Sequence, residues 1–186
     1  PQDVYSVRCI SQLFGAVLDA LDHHDTTVEI ELNSVSDNPI IDPDSGAVVH
    51  GGNFFGQHVG FASDYLRTTL IQWAMARLVD PNLHGQIIAG LEPQLRGRPR
   101  QSGFMGAQVT ASALLAEMRC MALPASVQGT STNSNNQDIV PMATVAARQT
   151  SDALDVLANI TAITALAVCQ AMDLTEKSEQ GGYSAA

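Results

Sequence analysis

Lysine is almost missing from this chain of 186 residues, with Lys177 near the end as the only one. A Schiff base to pyridoxal phosphate or to a carbonyl substrate would therefore find no buried amine to use. Charge of any kind is scarce, at 15% of residues, and the balance is acidic, with a net charge of -10. An acidic surface repels phosphate backbones and anionic lipid heads, and no basic stripe with interleaved aromatics offsets that repulsion, so neither nucleic acid nor membrane is an expected partner. The one basic cluster, Arg96, Arg98 and Arg100, suits a polar loop meeting an acidic neighbour. Cysteine is limited to Cys9, Cys120 and Cys169, dispersed and odd in number. That spacing argues against a disulfide framework and a metal site, and for reduced thiols in a cytoplasmic protein. Phosphate-binding glycine loops are lacking too, because Gly51-Gly52 has no G-x-G-x-x-G continuation after a strand. Even the most apolar stretch, 153–172, contains Asp155, Asn159 and Gln170, which marks a buried helix.

Hydrophobic residues, in contrast, make up 45% of the chain. With so little charge, part of the surface is expected to be covered by other subunits. The apolar positions recur at helical spacing. Ile10, Leu13, Phe14, Val17, Leu18 and Leu21 predict one amphipathic helix, and Val28, Leu32 and Val35 a second segment ended by Asp37-Asn38-Pro39. Turns are expected over 42–46 and 51–53 around a short extended run, 47–50. Further helices are predicted over 59–78 and 104–121, separated by a glycine- and proline-rich loop at 83–103. A Gly/Ser/Thr/Asn run, 129–136, leads to a last helix with Asp138 as its N-cap and Pro141 in its first turn. The second half of that helix is apolar nearly all round and needs neighbours on every side. The fold class that follows is all-α, a long-helix bundle over 1–175, with a disordered polar tail at 176–186.

The polar residues concentrate in a few places. Gln2, Tyr5 and Arg8 bring an amide, a phenol and a guanidinium together ahead of the first helix, and this dense start reads as part of a larger machine. Taken alone, Tyr5 and Arg8 also suit a capped helix start with a surface ion pair. Asn133 and Gln137 suit turn and cap duty, and Phe54 suits a core. His23 and His24, flanked by Asp22 and Asp25, point apart as adjacent helical residues do, and His50 and His58 flank a glycine turn without further ligands. No metal site is expected.

Five segments then combine into a resemblance. Gln2-Asp3-Val4-Tyr5-Ser6-Val7-Arg8-Cys9, Asn33-Ser34-Val35-Ser36-Asp37-Asn38-Pro39, Gly51-Gly52-Asn53-Phe54, Ser102-Gly103-Phe104-Met105 and Asn136-Gln137-Asp138-Ile139-Val140 occur in this order. In this the chain resembles the C-terminal portion of the catalytic region of aromatic amino-acid ammonia-lyases and 2,3-aminomutases. The resemblance implies a helical tetramer whose active sites combine residues of several subunits. It also implies a methylideneimidazolone (MIO) prosthetic group, formed in the family from an Ala-Ser-Gly tripeptide that this sequence lacks. The expectation is that the group forms on a different polypeptide carrying the N-terminal lyase portion and the main base. Residue by residue, Arg8 matches the carboxylate-binding arginine, a planar cation able to hold a carboxylate by two parallel hydrogen bonds. Tyr5 matches a catalytic tyrosine near the electrophile and Gln2 an active-site amide. Phe54 matches an aromatic wall, and Asn133 and Gln137 a pair opposite the substrate. Gln137 stands where histidine-specific members carry Glu, which implies a neutral aromatic substrate, tyrosine or phenylalanine. Phe55 departs from the His or Gln common in relatives and alters the polarity there.

Two alternatives stand beside this reading. One is a noncatalytic helical assembly subunit that keeps the fold without turnover. The other is a helical lyase of the fumarase type, whose glycine-serine-serine signature is not present.

Overall fold

The computed structural model describes residues 2, 5–76 and 104–174. Among the described residues five α-helices carry most of the structure: α1 Tyr5–Arg8, α2 Ile10–Leu32, α3 Gln57–Met75, α4 Met105–Cys120 and α5 Ala143–Leu174. One small antiparallel hairpin, β1 Ile40–Ile41 with β2 Val48–Val49, pairs Ile40 with Val49 and Ile41 with Val48. Short 3-10 turns occupy Asn53–Phe55, Ala125–Val127 and Asn133–Asn135. The all-α expectation holds. The loop expected at 83–103, with Arg96, Arg98 and Arg100, and the tail expected at 176–186 lie outside the described residues, as do Ser102 and Gly103 of the fourth motif.

Helix α2 corrects the sequence reading, which divided it in two. It runs unbroken for 23 residues, because the polar stretch between Leu21 and Val28 contains no glycine or proline and simply forms exposed turns. It ends before Val35. There the Asn33 side-chain amide donates to the Glu29 carbonyl at 2.8 Å and the Ser34 hydroxyl to the Ile30 carbonyl at 2.6 Å. These bonds join the Asn33 main-chain amide, which donates to both carbonyls at 3.2 Å, in closing the last turn.

The hairpin that follows is closed by Asp42. Its carboxylate accepts from the Asp44 amide at 3.0 Å and the Ser45 hydroxyl at 2.5 Å, and its main-chain oxygen accepts from the Gly46 amide. These bonds, the Ser45 hydroxyl first, hold the Asp42 carboxyl below the usual carboxylate range. Beneath the hairpin the Asn38 side chain accepts from the Gly51 amide at 3.2 Å, and the Asn53 side chain donates to the Val35 carbonyl at 3.4 Å. Residues 51–55 are thereby fixed, with a 3-10 turn at Asn53–Phe55 rather than the turn expected at 51–53. Gly56, at φ 69°, then reverses the chain into α3, a conformation that a side chain would oppose.

Helix α3 is the centre of the bundle, packed against α2, α4 and α5. The core joins Val17 and Ala20 of α2, Leu66, Leu70, Ile71 and Ala74 of α3, Ala111, Leu115 and Met118 of α4, and Ala153, Val156, Leu157 and Ile160 of α5. Each large side chain fully withdrawn from water contributes roughly 1.5–3 kcal/mol. Phe14 and Trp73 meet edge to face across α2 and α3 at 4.9 Å.

Helix α5 brings two corrections. It begins at Ala143, after Met142 at φ 50°, so neither Asp138 nor Pro141 forms its first turn. The Thr132–Gln137 bridge commits the chain around Asp138 to a loop instead. Nor do neighbours surround the helix among the described residues. Ala153, Val156, Leu157 and Ile160 are buried, while Leu154, Leu166 and Val168 stay exposed. The helix is long and apolar enough over Ala143–Cys169 to cross a membrane, yet Ala153, Val156, Leu157 and Ile160 pack on the bundle.

Candidate functional site

Six residues were singled out from sequence, and the fold sorts them into two groups. Gln2, Tyr5 and Arg8 form the first. The α1 turn puts Tyr5 and Arg8 three residues apart on one face, and the Arg8 guanidinium lies over the Tyr5 ring, 5.7 Å from its centroid. The same guanidinium donates through Nη1 to the Gln2 side-chain oxygen. Among the described residues Arg8 has no carboxylate partner. A surface ion pair therefore does not account for it there. Tyr5 is 73% exposed, and Gln2 and Arg8 are exposed as well. This leaves a cation, a phenol and an amide presented together on one short segment.

In the second group Phe54 and Gln137 line an open cleft of about 700 Å³ between the start of α3 and the chain leading into α5. Phe54, Phe55 and Val59 line one side, and Gln137, Ile139, Val140 and Pro141 the other. The side chains are apolar except for the Gln137 amide and Thr144. Such a lining suits a flat, uncharged ring. Phe54 is 56% exposed, so it is not the core residue that its type favours. Phe55 is half-buried and lines the same cleft.

The polar edge of the cleft is a closed loop. Thr132 and Gln137 exchange main-chain bonds at 2.9 and 3.3 Å, and the Thr132 hydroxyl donates to the Gln137 side-chain oxygen at 2.8 Å. Asn133, Ser134 and Asn135 all take left-handed conformations, at φ 51°, 55° and 66°. Asparagine tolerates that region because its side chain replaces lost main-chain bonds, and serine less so. The Ser131 hydroxyl accordingly donates to the Asn135 side chain at 2.8 Å. Asn133 thus performs the turn duty that its type suggests, and lies on the loop rather than on the cleft lining. Gln137 does both. Among the described residues no hydrogen bond or ring contact joins the two groups.

Sequence reasoning missed a buried pair on α3. Asp64 and Arg67, one turn apart on α3, form a buried ion pair at 2.6 Å, with the arginine fully buried. The signal was present, since both lie on the same three- and four-residue spacing as Gly60, Ser63, Ile71 and Ala74 of the buried face. Burial alone would push the Asp64 carboxyl up. The Ser126 hydroxyl and amide, the Ala125 amide and the Arg67 guanidinium together hold it below the usual range.

The histidines gather no metal set. His24 lies 3.5 Å from Asp25 and His23 stands edge-on to Tyr65, and no group of three or more ligating side chains is found among the described residues.

A helical bundle that presents an aromatic wall and an amide-bearing loop to one cleft is the class that fold and site define. The chain belongs to the aromatic amino acid lyase family, whose sequence model matches residues 1–186. It is 47% identical over 194 residues to a tyrosine ammonia-lyase of Cereibacter sphaeroides, covering 100% of this chain and 36% of that relative. It is 44% identical over 180 residues to a histidine ammonia-lyase of Burkholderia mallei, covering 93% of this chain and 34% of the relative. Among solved structures, a tyrosine aminomutase from Streptomyces globisporus superposes with a TM-score of 0.80 at 35% identity, covering 96% of this chain and 34% of that one. The chain therefore spans about a third of the length of these relatives. Family membership replaces the fumarase-type alternative.

Proposed function

We propose that this chain is the C-terminal portion of the catalytic region of an ammonia-lyase or 2,3-aminomutase acting on tyrosine or phenylalanine in the cytoplasm, within a tetramer-like assembly. The Ala-Ser-Gly electrophile and the main base come from a segment outside these 186 residues, which contain no such tripeptide. The observation that carries the reading is the meeting of Phe54 and Gln137, from separate elements, in one ring-sized apolar cleft of a chain from this family.

In this family the methylideneimidazolone supplies the electrophile. The apolar lining and the single Gln137 amide suit such a flat, uncharged group, with Phe54 as the wall beside it. The chain's own residues bind and orient. Arg8 takes the substrate carboxylate through its free guanidinium edge, a charge-assisted contact worth about 1.5–3 kcal/mol. Gln2 holds that guanidinium from one side and the Tyr5 ring supports it from another. The Tyr5 hydroxyl orients the amine or assists its proton transfer. Phe54 and Phe55 wall the ring, the Gln137 amide meets it without charge, and Asn133 approaches the substrate from the adjoining loop, which favours tyrosine or phenylalanine over histidine.

The test is co-expression with a segment carrying Ala-Ser-Gly, followed by ultraviolet absorbance of a cinnamate- or coumarate-like product. Restored deamination or amine migration supports the reading. An intact assembly without turnover of any aromatic amino acid would instead support a noncatalytic assembly role.

A further inference from the structure

Arg67 contacts both ends of the loop that edges the cleft. Its Nε donates to the Met121 carbonyl at 2.7 Å and its Nη2 to the Leu123 carbonyl at 3.1 Å, both just ahead of the loop. Its Nη1 donates to the Ala146 carbonyl at 3.1 Å, just beyond the loop's return into α5. Asp64 completes the arrangement. It accepts from the Ala125 amide at 3.1 Å, the Ser126 amide at 2.9 Å and the Ser126 hydroxyl at 2.5 Å. Every one of these partners lies at 121–126 or at 146. Between them, 127–142 is held by its own turn bonds and by the close approach of Gly129 to Val140, where a Cβ would stand 2.3 Å from the carbonyl oxygen.

A buried ion pair is poor as a source of stability, since apolar residues of similar volume often serve as well. It does fix geometry, because each atom of the guanidinium fork and carboxylate accepts only a narrow set of partner positions. The loop it closes contains three successive left-handed residues. Such backbone persists only where its surroundings over-determine it. The geometry points to the Asp64–Arg67 pair as a staple that closes the base of the 127–142 loop, making both residues positioning residues for Asn133, Gln137 and the cleft wall 139–141. The pair touches no substrate. Its effect on turnover rests on the lyase reading above, but its effect on the loop does not.

Amide hydrogen exchange and steady-state deamination in the complete, assembled protein test this. Arg67→Lys keeps the charge opposite Asp64 but loses the fork, and Ser126→Ala removes one hydroxyl contact while Ser126→Thr retains it. Exchange within 127–142 is expected to quicken about tenfold in Arg67→Lys and about threefold in Ser126→Ala, with α4 unchanged and Ser126→Thr near wild type. KM for the amino acid should rise more than kcat falls. Unchanged exchange in that segment, or equal acceleration across all helices, overturns the staple. Exchange needs no turnover, so an inactive wild-type assembly would defeat the lyase reading while this result still decides the staple.

Discussion

Two arginines, Arg8 and Arg67, show how one side chain takes opposite roles in the same molecule. Arg67 is fully buried and uses all three guanidinium nitrogens on partners within the chain, one carboxylate and three carbonyls. Arg8 is exposed and engages one amide oxygen and a ring face. An arginine buried by its own fold, with four of its five N–H donors engaged, has little left to offer a ligand. One with spare donors on a ready-made platform does, which is why geometry falls to Arg67 and recognition is proposed for Arg8.

The comparison breaks most easily at Arg67. Arg67→Met should destabilise the assembled protein by about 3–5 kcal/mol, because it leaves the Asp64 charge buried without a cation. Urea unfolding would show this as a large fall in midpoint, and a shift under about 0.5 kcal/mol would put Arg67 among ordinary surface residues. Arg8→Ala should do the reverse, lowering kcat/KM by more than tenfold, or about 1.4 kcal/mol, with an unfolding midpoint close to wild type. A smaller kinetic loss removes Arg8 from the carboxylate role.

Gly129→Ala sharpens the contrast from the loop side. Its added methyl meets the Val140 carbonyl, and the expected cost is about 1–3 kcal/mol with weaker product binding, measured by urea unfolding and by inhibition with a cinnamate. Acid gives the smallest effect. Because the folded state holds the Asp64 carboxyl below its usual range, that stabilisation is complete above the unfolded value of about 3.9 and fades as pH falls through the folded value. Melting temperature followed from pH 6 downwards should therefore drop more steeply in wild type than in Asp64→Asn. Equal slopes would mean that the carboxylate gains nothing from its partners.

Much of the fold was legible because helices announce themselves through apolar spacing, as at Ile10, Leu13, Phe14 and Val17. Boundaries were less so. The turn bonds that end α2 at Asn33 and Ser34 are local and could have been read, whereas the delayed start of α5 depends on Thr132 pairing with Gln137. The residues marked for the site were found through motif order. What linear order could not supply was their grouping, because the cleft forms only when the hairpin sets Phe54 opposite the loop leading to α5.

From its own residues the chain settled an all-helical architecture, a family, and a cluster of amide, phenol and guanidinium on its first turn. These follow from spacing and side-chain type, which are properties of neighbours along the chain. Tertiary structure alone decided which carbonyls and amides Asp64 and Arg67 would meet, that one ion pair would grip both ends of a distant loop, and that Phe54 and Gln137 would share a cleft. Those outcomes depend on which carbonyls and amides packing brings within hydrogen-bond reach, and no local pattern encodes that distance.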